Sequence, residues 1–454
     1  MSQTLIKNIN IVSMDNNRSV FIDGAILIEN NKILEIGKYN KIKPLLKNEV
    51  IIEDGKNNWV LPGLINTHVH TSQQLGRGIA DDVDLLVWLR ERIWPYESNL
   101  TEEDSYISSL LCAIEQIKSG VTCFVEAGGQ HVNGMGRAIE QIGMRANLVK
   151  STMDTGVGLP KIWQKDTNQE IDEQLINFEK WHNAADERIK YWFGLRTIFN
   201  NTDDLIIKTK EIADKLNVGI HMHVAEIREE IEYSKNTRGS STVAHLNNLG
   251  VLGENFLAAH CVWMTDEEIE IFKNKKVKVT HNPAAAMKVL GFAEIPMMID
   301  EGICVSIGTD GAPCNNRMSI IDEMWLTSLI HKGRKLNPKV IPAETVLEMV
   351  TRNASECALL DKEIGSLEKG KKADLIVIDP KTATMLPMHD SIANLVSSMR
   401  THNVRSVMCD GKWIMKNEII ETIDEKMIIN ESIKRSKAII ERSNIKIPKR
   451  FNYM

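Results

Sequence analysis

The feature that most constrains the fold is a regular alternation of short apolar strands with amphipathic helices between residues 59 and 365. Four intervening segments, 102–118, 203–216, 265–274 and 293–301, carry apolar residues at the i, i+3, i+4 spacing of a helix with one buried face. Repeated strand–helix units predict an α/β fold, a (β/α)8 TIM barrel with its chemistry at the C-terminal ends of the strands. The strand candidates are 61–70, 120–126, 145–150, 190–195, 218–223, 256–260, 277–281 and 303–310.

Both ends of the chain are rich in β-forming residues. Residues 1–58 include a hairpin turn at Asn30-Asn31-Lys32, and residues 366–420 include another around Asp410-Gly411. Because each half alone would leave one apolar face uncovered, the two are predicted to form one small composite β-sandwich beside the barrel of residues 59–365. Residues 421–454 are predicted to be a C-terminal helix and tail, with the charged helix at 424–443.

Composition excludes several classes of protein. The formal net charge of −6 over 454 residues argues against a nucleic-acid partner, which requires a basic surface. No apolar run reaches the roughly 18–20 residues of a membrane helix, and the first residues lack the features of a signal peptide. The seven cysteines form no C-x-x-C pair, which is typical of reduced thiols. These observations predict a cytoplasmic protein with no nucleic-acid and no membrane partner.

Metal-binding side chains stand at the ends of several strand candidates. Since strand side chains alternate with a period of two, His68 and His70 at the end of the first strand face the same side. The later strands contribute a third imidazole and a carboxylate, a set that suits one divalent cation and leaves a coordination position open. Water bound to such a cation ionises near neutral pH and becomes a nucleophile. The predicted metal ligands are His68, His70, His223 and Asp310.

Three residues at the same strand ends are assigned catalytic roles. Glu226 can carry a proton to a ring nitrogen or leaving group, and Asp310 can take a proton from the attacking water. His260 can stabilise the developing oxyanion through a charge-assisted hydrogen bond. His221 is expected on the opposite face of its strand from His223, in a packing or structural hydrogen-bonding role. His281 is assigned either to substrate contact or to capping of its strand.

Four motifs extend this interpretation to a family. They are Pro62-Gly63-Leu64-Ile65-Asn66-Thr67-His68-Val69-His70, His223-Val224-Ala225-Glu226, Ala259-His260-Cys261 and Gly308-Thr309-Asp310-Gly311. Together they resemble the amidohydrolase superfamily and, within it, the deaminase and s-triazine hydrolase branch. The resemblance covers nearly the whole chain. It implies one divalent metal, usually zinc or else iron, a small heterocyclic substrate and a homo-oligomer.

The same resemblance indicates the type of reaction. Binuclear members carry a carbamylated lysine at the fourth strand, whereas this chain has Arg196 after that strand and no lysine at its end. The presence of Glu226 favours hydrolytic removal of an amine from a ring carbon, with release of ammonia. We therefore predict an aminohydrolase that acts on cyclic amidines. The alternative in which the protein is not an enzyme is a non-catalytic scaffold protein.

The substrate is predicted to be a purine. Gln73 and Arg196 resemble the pair that holds the purine carbonyl in guanine deaminases, which favours a guanine-like oxo-purine. Glu97, in Trp94-Pro95-Tyr96-Glu97, instead resembles the ribose-binding glutamate of methylthioadenosine and S-adenosylhomocysteine deaminases. In those enzymes a basic residue grips the homocysteine carboxylate, and only Lys150 is available for this role here. An s-triazine hydrolase is a further alternative, and Cys314 lies where those enzymes vary.

Overall fold

The computed structural model describes residues 3–448 together with 451 and 452. Residues 1–2, 449–450 and 453–454, at the outer limits of the predicted sandwich and tail, lie outside the described residues. The strands are β1 (Gln3–Val12), β2 (Val20–Glu29), β3 (Lys32–Gly37), β4 (Val50–Asp54), β5 (Trp59–Pro62), β6 (Leu64–Val69), β7 (Val121–Glu126), β8 (Arg145–Val149), β9 (Ile189–Leu195), β10 (Ile220–Val224), β11 (Phe256–His260), β12 (Lys278–His281), β13 (Val305–Ile307), β14 (Leu375–Ile378), β15 (Val404–Cys409), β16 (Lys412–Lys416) and β17 (Ile419–Ile420).

Helices connect these strands. The α-helices are α1 (Tyr39–Ile42), α2 (Leu85–Trp88), α3 (Trp94–Glu97), α4 (Glu102–Lys118), α5 (Val132–Ile142), α6 (Thr167–Trp181), α7 (Asp203–Leu216), α8 (Arg228–Arg238), α9 (Thr242–Asn248), α10 (Asp266–Lys275), α11 (Pro283–Ala285), α12 (Ile295–Asp300), α13 (Ala312–Asn315), α14 (Ile320–Lys335), α15 (Ala343–Met349), α16 (Arg352–Cys357), α17 (Ser391–Ser397) and α18 (Glu425–Ser443). Two π-helical turns, Leu89–Ile93 and Ala286–Leu290, continue α2 and α11.

A parallel barrel forms the centre of the molecule. Within the described part of the chain, β6 to β13 form an eight-stranded parallel sheet in chain order. The sheet closes where the amides of Thr309 and Asp310, just after β13, donate to the carbonyl of His68 at 3.0 and 2.9 Å. Helices α4 and α7 begin and end at the predicted residues, and the (β/α)8 barrel is confirmed. All its strand C-termini therefore converge at one face.

A second sheet is built from both ends of the chain. Strand β1 pairs antiparallel with β2 and parallel with β4 and β5. Strand β5 in turn pairs antiparallel with β14, which places Leu61 opposite Ile376. Both predicted hairpins are present, since β2 is followed directly by β3 and β15 by β16. The expected β-sandwich formed by the two chain ends is thus confirmed.

Gly63 separates the two sheets. The sequence predicts one strand over 61–70, but β5 belongs to the chain-end sheet and β6 to the barrel. A Cβ on Gly63 would lie 2.1 Å from Oγ1 of Thr122, so this close approach requires glycine. The first barrel strand consequently begins at Leu64, three residues later than the predicted strand start at 61.

A buried ion-pair cluster, Arg145 with Asp374 and Asp410, joins the barrel to the chain-end sheet. Nε of Arg145, in β8, lies 3.1 Å from Asp374, and Nη2 lies 3.2 Å from Asp410. The Arg145 side chain is only 1% exposed and those of its two partners 2% and 7%. Because charges so far from water are costly unless paired, the cluster depends on all three members.

The C-terminal helix α18 packs against the barrel. Its extent agrees with the helix predicted at 424–443. Arg435 and Arg442 both pair with Asp104, a buried residue in the first turn of α4, at 3.1 and 2.5 Å. None of the described helices combines the length and the apolar character that crossing a membrane requires.

Removal of the arginine from the buried cluster tests its contribution to stability. We expect Arg145→Ala to lower the free energy of unfolding by about 3–5 kcal/mol, because Asp374 is left buried without its cation and Asp410 keeps only Lys372, at 3.3 Å, as a cationic partner. Urea unfolding followed by circular dichroism measures the loss. The control is Arg137→Ala, which removes a half-exposed arginine that pairs with Glu102 and Glu103 and should cost no more than about 1 kcal/mol. Equal losses in the two variants would contradict the assignment.

Candidate active site

The predicted site residues converge at the C-terminal face of the barrel. His68, His223 and His260 lie within the last residues of β6, β10 and β11, and His70 follows β6 directly. Asp310 lies three residues after the end of β13. Each of these side chains is at most 7% exposed. The barrel topology therefore assembles residues that are up to 242 positions apart in the sequence, as from His68 to Asp310.

Backbone carbonyls orient two of the imidazoles. Nδ1 of His70 lies 3.2 Å from the carbonyl oxygen of Gly128, and Nδ1 of His223 lies 2.9 Å from that of Arg196. In each ring Nδ1–H donates to the carbonyl, which leaves the lone pair of Nε2 directed into the site. Burial, reinforced by the charge of Arg196, lowers the pKa of both histidines well below its ordinary value. The rings are neutral, which is the form that binds metals.

His221 orients the third imidazole. Its Nε2 lies 2.9 Å from Nδ1 of His68, and the two rings are stacked with their centroids 5.0 Å apart. The prediction of a structural hydrogen bond is confirmed, but the expectation that His221 faces away from His223 was wrong. Residues two apart in a strand share a face, so both rings of β10 point into the barrel.

The arrangement fits a divalent metal. Nε2 of His68 lies 3.6 Å from Oδ1 of Asp310, and Nε2 of His70 lies 3.7 Å from the same oxygen. Nε2 of His223 is 3.3 Å from Nε2 of His70. Among the described residues, the buried Nε2 of His68 has no hydrogen-bond partner. Neutral nitrogen lone pairs converging with a carboxylate, one of them unpartnered, suit a cation and are costly without one.

His260 lies beside this cluster in a strained backbone conformation. Its Nε2 is 3.7 Å from Oε1 of Glu226 and 3.9 Å from Oδ2 of Asp310, while the side-chain amide of Asn282 is 3.2 Å from its Nδ1. Burial lowers the pKa of His260 to about 3. Both His260 and Asp310 have positive φ, 74° and 64°, a conformation that costs energy outside glycine and is found at functional sites.

Glu230, which sequence reasoning missed, holds Glu226 in place. Its two carboxylate oxygens accept hydrogen bonds from the backbone amides of Ala225 and Glu226, both at 2.8 Å. Ala225 has a φ of 51°, so the turn that presents Glu226 is fixed by these contacts. The spacing Glu226-x-x-x-Glu230 at the start of α8 is the sequence signal that could have indicated this role. Burial and the charge of Asp310 raise the pKa of Glu226 to about 8, which keeps it able to donate a proton.

A cavity opens onto the cluster, and its volume, including space open to solvent, is about 460 Å³. Part of its lining is polar and consists of the side chains of His70, His223, Glu226, His260 and Asp310, with Arg196 and Thr197. Its other walls are largely apolar and come from the segment of α2 and the π-helical turn after it, and from the turn after α11. Sequence reasoning did not single out these walls, although the run Leu85-Leu86-Val87-Trp88-Leu89 was a usable signal. The apolar wall residues are Leu85, Trp88, Leu89, Ala285, Val289 and Leu290.

Of the predicted substrate-binding residues, only Arg196 lines this cavity. Gln73 is fully buried, and its amide nitrogen donates to Oε1 of Glu97 at 2.8 Å. Glu97 is also buried. Burial raises the pKa of its carboxyl group, although the nearby charge of Arg196 acts to lower it. Gln73 and Glu97 therefore form a pair behind the cavity wall.

The structure does not bring His281 to the cavity. Its Nε2 lies 3.2 Å from Nε2 of His331 in α14, with the two ring centroids 5.1 Å apart. The strand-end position of His281 is as predicted, but its contact is with a neighbouring helix. Cys314 does line the cavity, and its Sγ donates to the carbonyl of Gly311 at 3.1 Å.

Comparison with known proteins identifies the family. The model of the amidohydrolase family matches residues 59–414. The chain belongs to the amidohydrolase family. This amidohydrolase is 40% identical to a 5′-deoxyadenosine deaminase of Methanobrevibacter smithii, over 93% of this chain and 95% of that protein. It is 37% identical to a 5-methylthioadenosine/S-adenosylhomocysteine deaminase of Syntrophomonas wolfei, over 96% and 99% of the two chains.

A solved structure agrees in fold. The crystal structure of an adenosine deaminase from Xanthomonas campestris with bound zinc has a TM-score of 0.90 to this amidohydrolase. The match covers 96% of this chain and 98% of that chain at 23% sequence identity. Since that identity is low, the likeness supports the architecture of barrel and sandwich.

These findings settle the type of reaction. The amidohydrolase is a hydrolytic deaminase that acts on carbon–nitrogen bonds in cyclic amidines, and its family uses a divalent metal. The alternative of a non-catalytic scaffold is thereby set aside. The predicted preference for a guanine-like oxo-purine is not supported, because the relatives above are named for adenosine-type substrates. The structure offers a physical reason, since the Gln73 amide is engaged by Glu97 and does not reach the cavity.

Removal of a single imidazole tests the metal site. We expect His223→Ala to be purified with far less bound divalent metal than the unaltered protein, because a site of four protein ligands loses one. Elemental analysis of the dialysed protein measures the metal content. The matched control is His281→Ala, which also removes a buried histidine at a strand end but lies outside the cavity. Full metal content in His223→Ala, or equal loss in both variants, would contradict the ligand assignment.

Proposed function

We propose that this amidohydrolase deaminates adenosine nucleosides whose 5′ end is apolar, with 5′-deoxyadenosine as the preferred substrate. The observation that carries the proposal is the lining of the cavity, which combines the polar side chains of the cluster with walls of apolar side chains. We take the amine-bearing ring of the nucleoside to lie at the polar end and the sugar to lie at the apolar end. A nucleoside bound with its amine-bearing ring carbon at the polar end brings its sugar toward the apolar walls. A 5′-methyl or 5′-methylthio group can be buried there, whereas a charged group would be left without water.

The metal site is part of the proposal. His68, His70, His223 and Asp310 hold the cation, which we take to be zinc because three imidazoles and a carboxylate suit it. A cation in this position supplies Lewis acidity, which brings the pKa of water close to neutrality.

The proton transfers are assigned to residues around the cavity. Glu226 donates a proton to the ring nitrogen next to the amine-bearing carbon, which makes that carbon more electrophilic. Asp310 takes a proton from the attacking water and passes it to the departing amine. The carbon–oxygen bond forms, the carbon–nitrogen bond breaks and ammonia leaves. The proton that remains on the new oxygen returns to Glu226, which gives the ring carbonyl of the product and restores the carboxyl group. Nε2 of His260, close to both carboxylates, stabilises the attacking oxygen.

The contacts of Lys150 favour short apolar 5′ groups over S-adenosylhomocysteine. A basic residue must hold the carboxylate of the homocysteine moiety, and Lys150 was the available candidate. In the structure its Nζ is buried and forms ion pairs with Glu170 and with Glu173, the latter at 3.3 Å. Lys150 is therefore committed to structural contacts. Homo-oligomer formation and a cytoplasmic location stay predictions.

A substrate panel tests the proposed activity. We expect ammonia release from 5′-deoxyadenosine and 5′-methylthioadenosine, with kcat/KM for S-adenosylhomocysteine at least about tenfold lower, the discrimination that a buried polar group without a partner imposes. Guanine serves as the control for the oxo-purine alternative. Turnover of guanine without turnover of the nucleosides would overturn the proposal.

A neutral replacement of Glu226 tests the proton transfer. We expect Glu226→Gln to keep its metal and to lose roughly 10²–10⁴-fold in kcat, the usual contribution of a positioned acid–base group. Steady-state kinetics and elemental analysis of the same preparation measure the two quantities. Glu229→Gln, an exposed neighbour, is the control and should retain full activity. Unchanged kcat in Glu226→Gln would remove this residue from the reaction.

A further inference from the structure

A second cavity lies directly beside the catalytic one. It lies between the segment around α2 and α3 and the loops that follow β8 and β9, and its volume, including space open to solvent, is about 910 Å³. Its wall includes the aromatic side chains of Trp94, Phe199 and Tyr233, and the latter two rings have centroids 4.9 Å apart. Arg90 and Asn200 add polar groups to its lining. Nothing in the proposed reaction uses this space.

Leu89 is the side chain that lines both cavities. It is 9% exposed and occupies the first position of the π-helical turn Leu89–Ile93. Wide turns of this kind interrupt regular helices and occur frequently at functional sites. The neighbouring Leu86 lines the second cavity alone, whereas Val289 lines the catalytic cavity alone.

A polar contact links a second pair of residues from the two linings. Thr197 lines the catalytic cavity and Asn200 the second one. Oγ1 of Thr197 donates to Oδ1 of Asn200 at 3.1 Å. Both residues of this contact lie in the loop after β9, whereas Leu89 contributes only an aliphatic side chain. Leu89 is thus the part of the partition that a smaller side chain would open.

We propose that Leu89 sets the length of the 5′ substituent that the enzyme accepts, and that the second cavity is the subsite which a longer substituent enters when Leu89 is made smaller. The proposal rests on the proposed function, since it requires a nucleoside whose sugar faces the apolar end of the catalytic cavity. With Leu89 in place, a methyl or methylthio group fits and a longer thioether chain meets the isobutyl side chain. The aromatic walls of the second cavity suit an aliphatic thioether chain.

The test is a series of nucleosides with 5′ groups of increasing length. We would measure kcat/KM of the metal-loaded enzyme for 5′-deoxyadenosine, 5′-methylthioadenosine, 5′-butylthioadenosine and S-adenosylhomocysteine. The unaltered enzyme should lose activity as the 5′ chain lengthens. For Leu89→Ala we expect a rise in the ratio of kcat/KM for the butylthio compound to kcat/KM for 5′-deoxyadenosine. The rise should be at least about tenfold, because a few methylene groups in an apolar pocket change kcat/KM by that much.

A control variant separates this effect from a general loosening of the site. Leu86→Ala enlarges only the second cavity, so it should not change the ratio while Leu89 is in place. An unchanged ratio in Leu89→Ala, or an equal rise in both variants, would overturn the proposal. If Leu89→Ala does not fold, as judged by its thermal unfolding, Leu89→Val should raise the ratio by a smaller factor and Leu89→Phe should lower it. No change in either would also overturn it.

The outcomes distinguish the two proposals. If the unaltered enzyme releases ammonia from none of these nucleosides, the proposed function fails and the role of Leu89 fails with it. If it deaminates 5′-deoxyadenosine but Leu89→Ala keeps the original length dependence, only the role of Leu89 fails. A gain for butylthioadenosine without a gain for S-adenosylhomocysteine would assign the second cavity to uncharged chains.

Discussion

The site depends on a constraint that the parallel barrel imposes, namely that every strand delivers its C-terminal residue to the same face. Imidazoles placed there are buried and must be neutral, because burial of a charged ring without a partner is costly. The carbonyls of Gly128 and Arg196 and the ring of His221 then take up the Nδ1 positions. The remaining Nε2 lone pairs lie close to one another and to Asp310. The fold therefore forms a site that suits a cation even without substrate.

The carboxylates to which we assign proton transfer lie on or beside residues with a strained backbone. Ala225, His260 and Asp310 all have positive φ, and each lies where a strand has ended or is ending. Such conformations persist only where surrounding contacts enforce them. Glu230 enforces the conformation of the turn that carries Glu226. The hydrogen bonds that close the barrel, from the amides of Thr309 and Asp310 to the carbonyl of His68, enforce the conformation of the Asp310 loop. The rigid barrel therefore offsets the cost of the strained segments that present the reacting groups.

Local patterns in the sequence were sufficient for the barrel and for the residues at its strand ends. Helices α4 and α7 could be predicted to the residue because apolar spacing and N-terminal capping agree there. What could not be predicted depends on contacts between distant segments. The break at Gly63 follows from the close approach of Thr122, the contact of His281 depends on His331 in α14, and Gln73 is engaged by Glu97. The guanine-type interpretation, which the named relatives do not support, depended on Gln73, and residue type alone did not reveal where its amide was directed.

The pairing of β5 with β14 has a consequence for the order in which the protein matures during synthesis. Strand β5 ends at residue 62, but its antiparallel partner begins at residue 375, after all the barrel strands. Until the ribosome has released that segment, β5 presents an open edge, and the apolar face of the first sheet half lacks its cover. Completion of the sandwich, together with the Arg145 cluster that requires Asp374 and Asp410, is thus a late event. A nascent chain of this architecture carries an unfinished sheet throughout the time in which its catalytic barrel is made.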